Sequence, residues 1–204
     1  MTVPVGADGA LGLYSAVGDA FAGRRLGFGR RRAALAARFA RHRGAGAHAA
    51  AAAWVAGALA EIGLVAVVLP PGTPARARAI ATADAPLHGA RIVASLSGVP
   101  REAADLVRWH REHDDGTGVP DGLRWDGIPP AAAAIGVAHA FLAAIEDAAE
   151  PREPFEALFA LAAEAGRSFS IDVVRAFRAF MAEQPDVDAA DETELPALDE
   201  HAAL

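Results

Sequence analysis

Six consecutive residues, His110-Arg111-Glu112-His113-Asp114-Asp115, hold two histidines, three acids and an arginine. Imidazole and carboxylate are the donor types that hold catalytic divalent metals. Gly116-Thr117-Gly118-Val119-Pro120 follows. A glycine turn lets backbone approach a ligand, because Gly accepts positive φ and lacks a Cβ. The combination predicts the rim of a site for metal-assisted phosphate chemistry. Arg111 offers a second chemistry, since a guanidinium fork holds phosphate bidentately without a metal ion. The bland alternative is a satisfied polar set, with Arg111 paired to Asp114 or Glu61, or Glu61 paired with a histidine and the histidines hydrogen-bonded.

Other polar residues carry less. His42, His48 and His113 have no second histidine four residues away on one helix. Ser95, Ser97, Ser168 and Ser170 lie outside any nucleophile-elbow pattern, which leaves a serine hydrolase without support. Gly27-Phe28-Gly29 is too short for a phosphate loop. Trp109 and Trp125 flank the loop and are read as core anchors rather than stacking platforms.

The elements that must position these residues are helical by their apolar spacing. Helices are expected over 11–22, 30–42, 47–61, 73–83, 87–96, 100–110, 130–149, 155–165 and 171–182, with a loop over 111–129. Gly63 to Leu69 is β-branched, and is read as a helix end running into an extended segment that stops at Pro70-Pro71-Gly72. No strands alternate with helices, which argues against a doubly wound sheet. The expected fold is all-α: one helical domain over 10–183, a flexible N-terminus over 1–9 and a disordered acidic tail over 184–204.

Composition narrows the function classes. The chain has no Cys, which excludes disulfides, thiolate zinc sites and cysteine nucleophiles. All 19 basic residues are Arg, so no single Arg is read as a phosphate clamp on type alone. Net charge is −7, yet seven acids fall within 184–204 and eight Arg within 24–43. These read as a solvated tail and a solvated helix face, or as mutual masks. A near-neutral body with an acidic tail argues against nucleic-acid binding. The apolar run Ala45 to Leu69 is broken by His48 and Glu61 and reads as a buried helix rather than a membrane span. No basic-then-apolar leader is visible, and a cytoplasmic location is expected.

The stretch Trp109 to Ile145 resembles the signature of the HD-GYP branch of the HD phosphohydrolase superfamily. The resemblance is carried by His110, Glu112, Asp115-Gly116-x-Gly118-x-Pro120, Gly122-Leu123, Ile128-Pro129 and Val137-Ala138. Ala165 to Phe177 resembles the closing segment, and Leu59 to Leu69 the region around the His-Asp pair. The resemblance implies a helical bundle that hydrolyses cyclic di-GMP, a bacterial second messenger. It implies two or three iron or similar ions held by His and Asp.

Against that pattern, Ala60-Glu61 stands where the His-Asp pair belongs and Ala85-Pro86 where a His precedes Pro. His110-Arg111 replaces a His pair, His139 a late Asp, Leu64 a Lys and Val119 the signature Tyr. An early histidine near Gly29-Arg30 is absent as well. Metal-activated water and a two-metal clamp need those donors. The resemblance therefore implies a degenerate domain: a non-catalytic signalling or scaffold module with no cofactor, working through a protein partner or a homodimer. The first helix with the Arg-rich segment is the candidate dimer face. One alternative is a divergent phosphohydrolase with a single Fe, Mn or Zn on Glu61, His110 and His139, with His88 one turn from Ala85 as a further donor. Another is a metal-free phosphate or nucleotide binder at Arg111, Asp115, Gly116, Gly118 and Pro120. Neither nucleic acid nor membrane is an expected partner.

Overall fold

The structure is a computed structural model, and it describes residues 7–146, 151–184 and 186. Residues before 7 and from 187 on, most of the expected acidic tail among them, lie outside the described residues. Nine α-helices are present among the described residues: α1 Ala7–Phe21, α2 Phe28–His42, α3 Ala47–Leu59, α4 Ala75–Ala81, α5 Ala85–Ala94, α6 Glu102–Trp109, α7 Pro130–Ile145, α8 Pro154–Ala163 and α9 Ile171–Glu183. No strand occurs among them; the only β pairing is isolated, at Asp115 with Arg124 and at Ala165 with Phe169.

α2 is the central helix, packed against α3 and α7. Its inward stripe of Phe28, Arg32, Leu35, Ala36 and Phe39 follows helical spacing. α3 is buried along nearly its whole length. Its small residues let it sit close: a Cβ on Gly57 would come within 2.7 Å of the Ala33 Cα. The run Ala47–Ala66 is apolar and long enough to cross a membrane by composition, but 78% of that window is buried inside the fold. It is a core helix. At the far end Phe39, Phe141, Phe177 and Phe180 interlock, with Phe39 and Phe177 edge-on at 5.1 Å. Burial of each such ring contributes about 1.5–3 kcal/mol.

Several expectations need correction. α1 starts at Ala7, so residues 7–9, expected in a flexible N-terminus, are helical. Gln184, expected in the tail, accepts a hydrogen bond from Arg38 at 2.6 Å. The helix end running into an extended segment at Gly63 to Leu69 is present, as the 3-10 helix Ile62–Ala66 followed by extended Val67. α7 ends at Ile145, where the Glu146 N–H bonds to the Leu142 carbonyl and its carboxylate pairs with Arg31. Trp125 is no core anchor: it is 72% exposed at φ 47 in a short 3-10 turn, Trp125–Gly127. The Arg24–Arg43 segment is not a uniformly solvated face either, because Arg32 is completely buried.

Candidate functional site

α2 begins where Asp19, buried on α1, accepts the N–H groups of Gly27 at 2.9 Å and Gly29 at 2.8 Å. Those N–H groups belong to the helix N-terminus, whose unpaired donors and dipole favour a carboxylate. Burial raises the Asp19 carboxyl pKa, and the two N–H groups and Arg32 oppose it. This anchor fixes the turn from which Arg32 projects one helical turn later.

Arg32 donates through Nε to the Gly57 carbonyl at 2.7 Å. Its Nη1 lies 2.9 Å from His139 Nδ1 on α7 and 3.8 Å from Glu61 Oε1. Glu61 follows α3, and its Oε1 is also 3.7 Å from His110 Nε2 and 3.7 Å from His139 Nδ1. His110 closes α6 with Nδ1 2.7 Å from the Val107 carbonyl. That contact makes Nδ1 a donor to the carbonyl and turns Nε2 toward Glu61. His110 Nε2 is buried without a hydrogen-bond partner.

Charge follows from this arrangement. Burial alone would push the Glu61 carboxyl up. His110 and the Arg32 cation outweigh it and hold Glu61 ionised, well below the usual carboxylate range. Burial and then the adjacent Arg32 push His139 down to about 3. Its ring keeps a 26% exposed side toward a cavity, while Nδ1 faces inward to Arg32. At neutral pH the set is therefore Arg32 cation, Glu61 anion and neutral His139.

Above it opens a cavity of about 940 Å³. Glu61, His110 and His139 line it, with Arg24, Arg78 and Arg111 and an apolar side that includes Leu64, Val67 and Phe169. None of the three arginines forms an ion pair among the described residues. Arg111 donates to the Thr82 carbonyl at 3.2 Å and not to Asp114 or Glu61, while the histidines are what flank Glu61.

The glycine loop is placed differently from its reading as a ligand rim. Asp115, Gly116, Gly118 and Pro120 do not line the cavity. Asp115 Oδ1 accepts from the Thr117 N–H at 2.9 Å and its hydroxyl at 2.6 Å. Gly116, at φ 79, lies under Arg124, and a Cβ on Gly118 would overlap the backbone of Glu112 and His113. The buried Glu112 carboxylate binds the loop shut, accepting the N–H groups of Asp121 at 2.6 Å and Leu123 at 2.8 Å. Outside it, Arg108 grips Asp121 with two bonds of 2.6 and 2.7 Å, and Trp109 Nε1 adds a third at 2.7 Å. The loop thus holds His110 and Arg111 in place. His88 also stays outside the cavity.

Arg32 is the residue that sequence reasoning missed. Its signal was its register, four residues after Phe28 and three and four before Leu35 and Ala36, on the inward stripe.

The residues present do not fit a metal centre. Arg32 already occupies the His139 lone pair and places a fixed positive charge beside Glu61. Among the described residues no group of three or more His, Asp or Glu is arranged to hold a metal ion.

The HD domain family model matches residues 22–173, most of the chain. The chain belongs to the HD domain family. Two solved structures share the HD fold. One is described as a cyclic GMP-AMP specific phosphodiesterase of V. cholerae (V-cGAP3), with a TM-score of 0.70 and 13% identity over 91% of this chain and 52% of that one. The other is Bd1817, an HDG"Y"P protein from Bdellovibrio bacteriovorus, with a TM-score of 0.62 and 19% identity over 76% of this chain and 51% of that one. The HD domain spans about half the length of these structures. No curated protein matches it.

Proposed function

We propose that this HD domain binds a phosphate-bearing small molecule in the cavity and does not hydrolyse it. One observation carries the reading: Arg24, Arg78 and Arg111 line one cavity, and none has a carboxylate partner among the described residues. The acids on the same walls are already engaged. Glu61 faces Arg32, Glu112 binds two loop N–H groups, and Glu164 accepts the Ser168 hydroxyl at 2.6 Å. The volume sits at the upper end of small-molecule sites, which run to roughly 1,000 Å³. The apolar side leaves room for a base or another apolar group beside the phosphate. Binding without turnover suits the signalling or scaffold role expected from the sequence, in which a protein partner or second copy reads the loaded state.

Thermal melts in EDTA test the reading with pyrophosphate, GMP, cyclic di-GMP and cyclic GMP-AMP as probes. At least one should raise Tm with no product formed, and a ligand at 100-fold its Kd adds about 2.7 kcal/mol. The shift should vanish in Arg111→Ala. No shift with any probe, or a shift that survives in Arg111→Ala, rejects it.

The second reading is a metal-dependent phosphodiesterase, favoured by family membership and by the meeting of Glu61, His110 and His139 at one point. Hydrolysis of cyclic GMP-AMP or cyclic di-GMP with added Mn²⁺ or Fe²⁺, lost in His110→Ala, would put it first.

A further inference from the structure

Arg32, Glu61, His110 and His139 arrive from α2, the end of α3, the end of α6 and α7, and meet at the floor of the cavity. Three of them have metal-binding donors. Glu61 Oε1 stands 3.7 Å from both His110 Nε2 and His139 Nδ1. Donors about 2.1 Å from a tetrahedral ion lie roughly 3.4 Å apart, so these two edges are only slightly too long. His110 Nε2 is buried and has no hydrogen-bond partner. A buried polar atom without a partner is costly and calls for an explanation.

The fourth residue engages the other two donors. Arg32 Nη1 lies on the donors an ion would use, 2.9 Å from His139 Nδ1 and 3.8 Å from Glu61 Oε1. Its Nε is tied to Gly57, so the guanidinium has a fixed seat. A fully buried cation is tolerated only with compensating charge and hydrogen bonds, and Glu61, His139 and Gly57 provide them. We propose that Arg32 is an internal substitute for a metal ion: it supplies at the Glu61–His110–His139 cluster the positive charge a divalent cation would bring, and so keeps the cluster closed to metals.

An ordinary structural ion pair predicts only lost stability when Arg32 is removed. Substitution for a metal predicts a gain as well, because two histidines and a carboxylate are a ligand count that zinc sites use. The proposal does not rest on anion binding in the cavity, since its test involves no phosphate ligand.

Wild type, Arg32→Ala, Arg32→Gln and the double variant Arg32→Ala/Glu61→Gln are titrated with Co²⁺, read by visible d–d absorption, bound-metal analysis and histidine ring resonances. Arg32→Ala or Arg32→Gln should take up about one cobalt per chain, with shifts at His110 and His139. The wild type and the double variant should take up none there. If the single variants lose helicity without metal, cobalt must restore it, as metal binding to a competent site is folding energy. The proposal is overturned if the wild type loads cobalt on His110 and His139. It is overturned equally by folded single variants that bind none, or by unfolded ones that cobalt does not rescue.

Discussion

Glu61 is an ionised carboxylate in a place with little water, and the cost of that position falls on its neighbours. Burial disfavours its charge, but Arg32 and His110 restore it. Breaking such a pair by removing one member costs about 3–5 kcal/mol, because the other is left charged and buried. Glu61→Ala should therefore destabilise the fold by about that amount, measurable as a loss of urea midpoint at unchanged slope. His139 gives a pH signature. Its folded pKa lies near 3 against an ordinary 6.5, so below 6.5 the unfolded chain binds more protons than the folded one. Stability is then fully present above about 6.5 and lost as pH falls toward 3. Glu61, with its pKa depressed, adds loss of the same sign once pH falls below the usual carboxylate range. Tm should drop between pH 7.5 and 5.0, and His139→Asn should flatten the decline. At the cavity wall, Arg24→Ala, Arg78→Ala and Arg111→Ala each remove a charged donor whose hydrogen bond is worth about 1.5–3 kcal/mol. Each should weaken a phosphate ligand by roughly tenfold or more by calorimetry.

The loop over 111–129 and helix α2 show how elements set the site. Glu112 is the loop's internal clasp, and the Arg108–Asp121 pair is the outer one. Glu112→Ala leaves two backbone donors without their acceptor, a cost of about 1–3 kcal/mol each. Faster amide exchange at Asp121 and Leu123 should reveal it before global unfolding does. The density of His, Asp and Gly in this loop was legible as a functional region, but its role is mainly to hold His110 and Arg111. Composition could not separate those roles, because a glycine needed for ligand approach and one needed for backbone packing look the same in a sequence. α2 is the opposite case. Eight Arg within 24–43 read as a solvated face, and the register that turns Arg32 inward was present but masked by its neighbours' charge.

On the scale of the molecule, charge is segregated. The residues from 187 on hold six of the chain's acids, while the cavity collects three arginines. Deleting 187–204 takes the net charge from −7 to −1. Long-range steering of an anionic ligand should strengthen accordingly, as a faster association rate that salt abolishes. An unchanged rate at low salt would show that the tail's field does not reach the cavity.

Helix periodicity was enough to determine an all-helical fold, because it depends on local spacing, and the resemblance of Trp109 to Ile145 to the HD-GYP signature supplied the HD type. They also singled out Glu61, His110, His139 and Arg111, which the fold gathers around one cavity. Only the tertiary structure decided what fills the space among the first three. Arg32 is 29 residues from Glu61 and 107 from His139, and no local pattern encodes which cation a buried carboxylate meets. That choice is made by the close approach of α2 to α3 at Gly57 and by the crossing of α7, where packing geometry brings a guanidinium onto donors that the family resemblance offered to a metal.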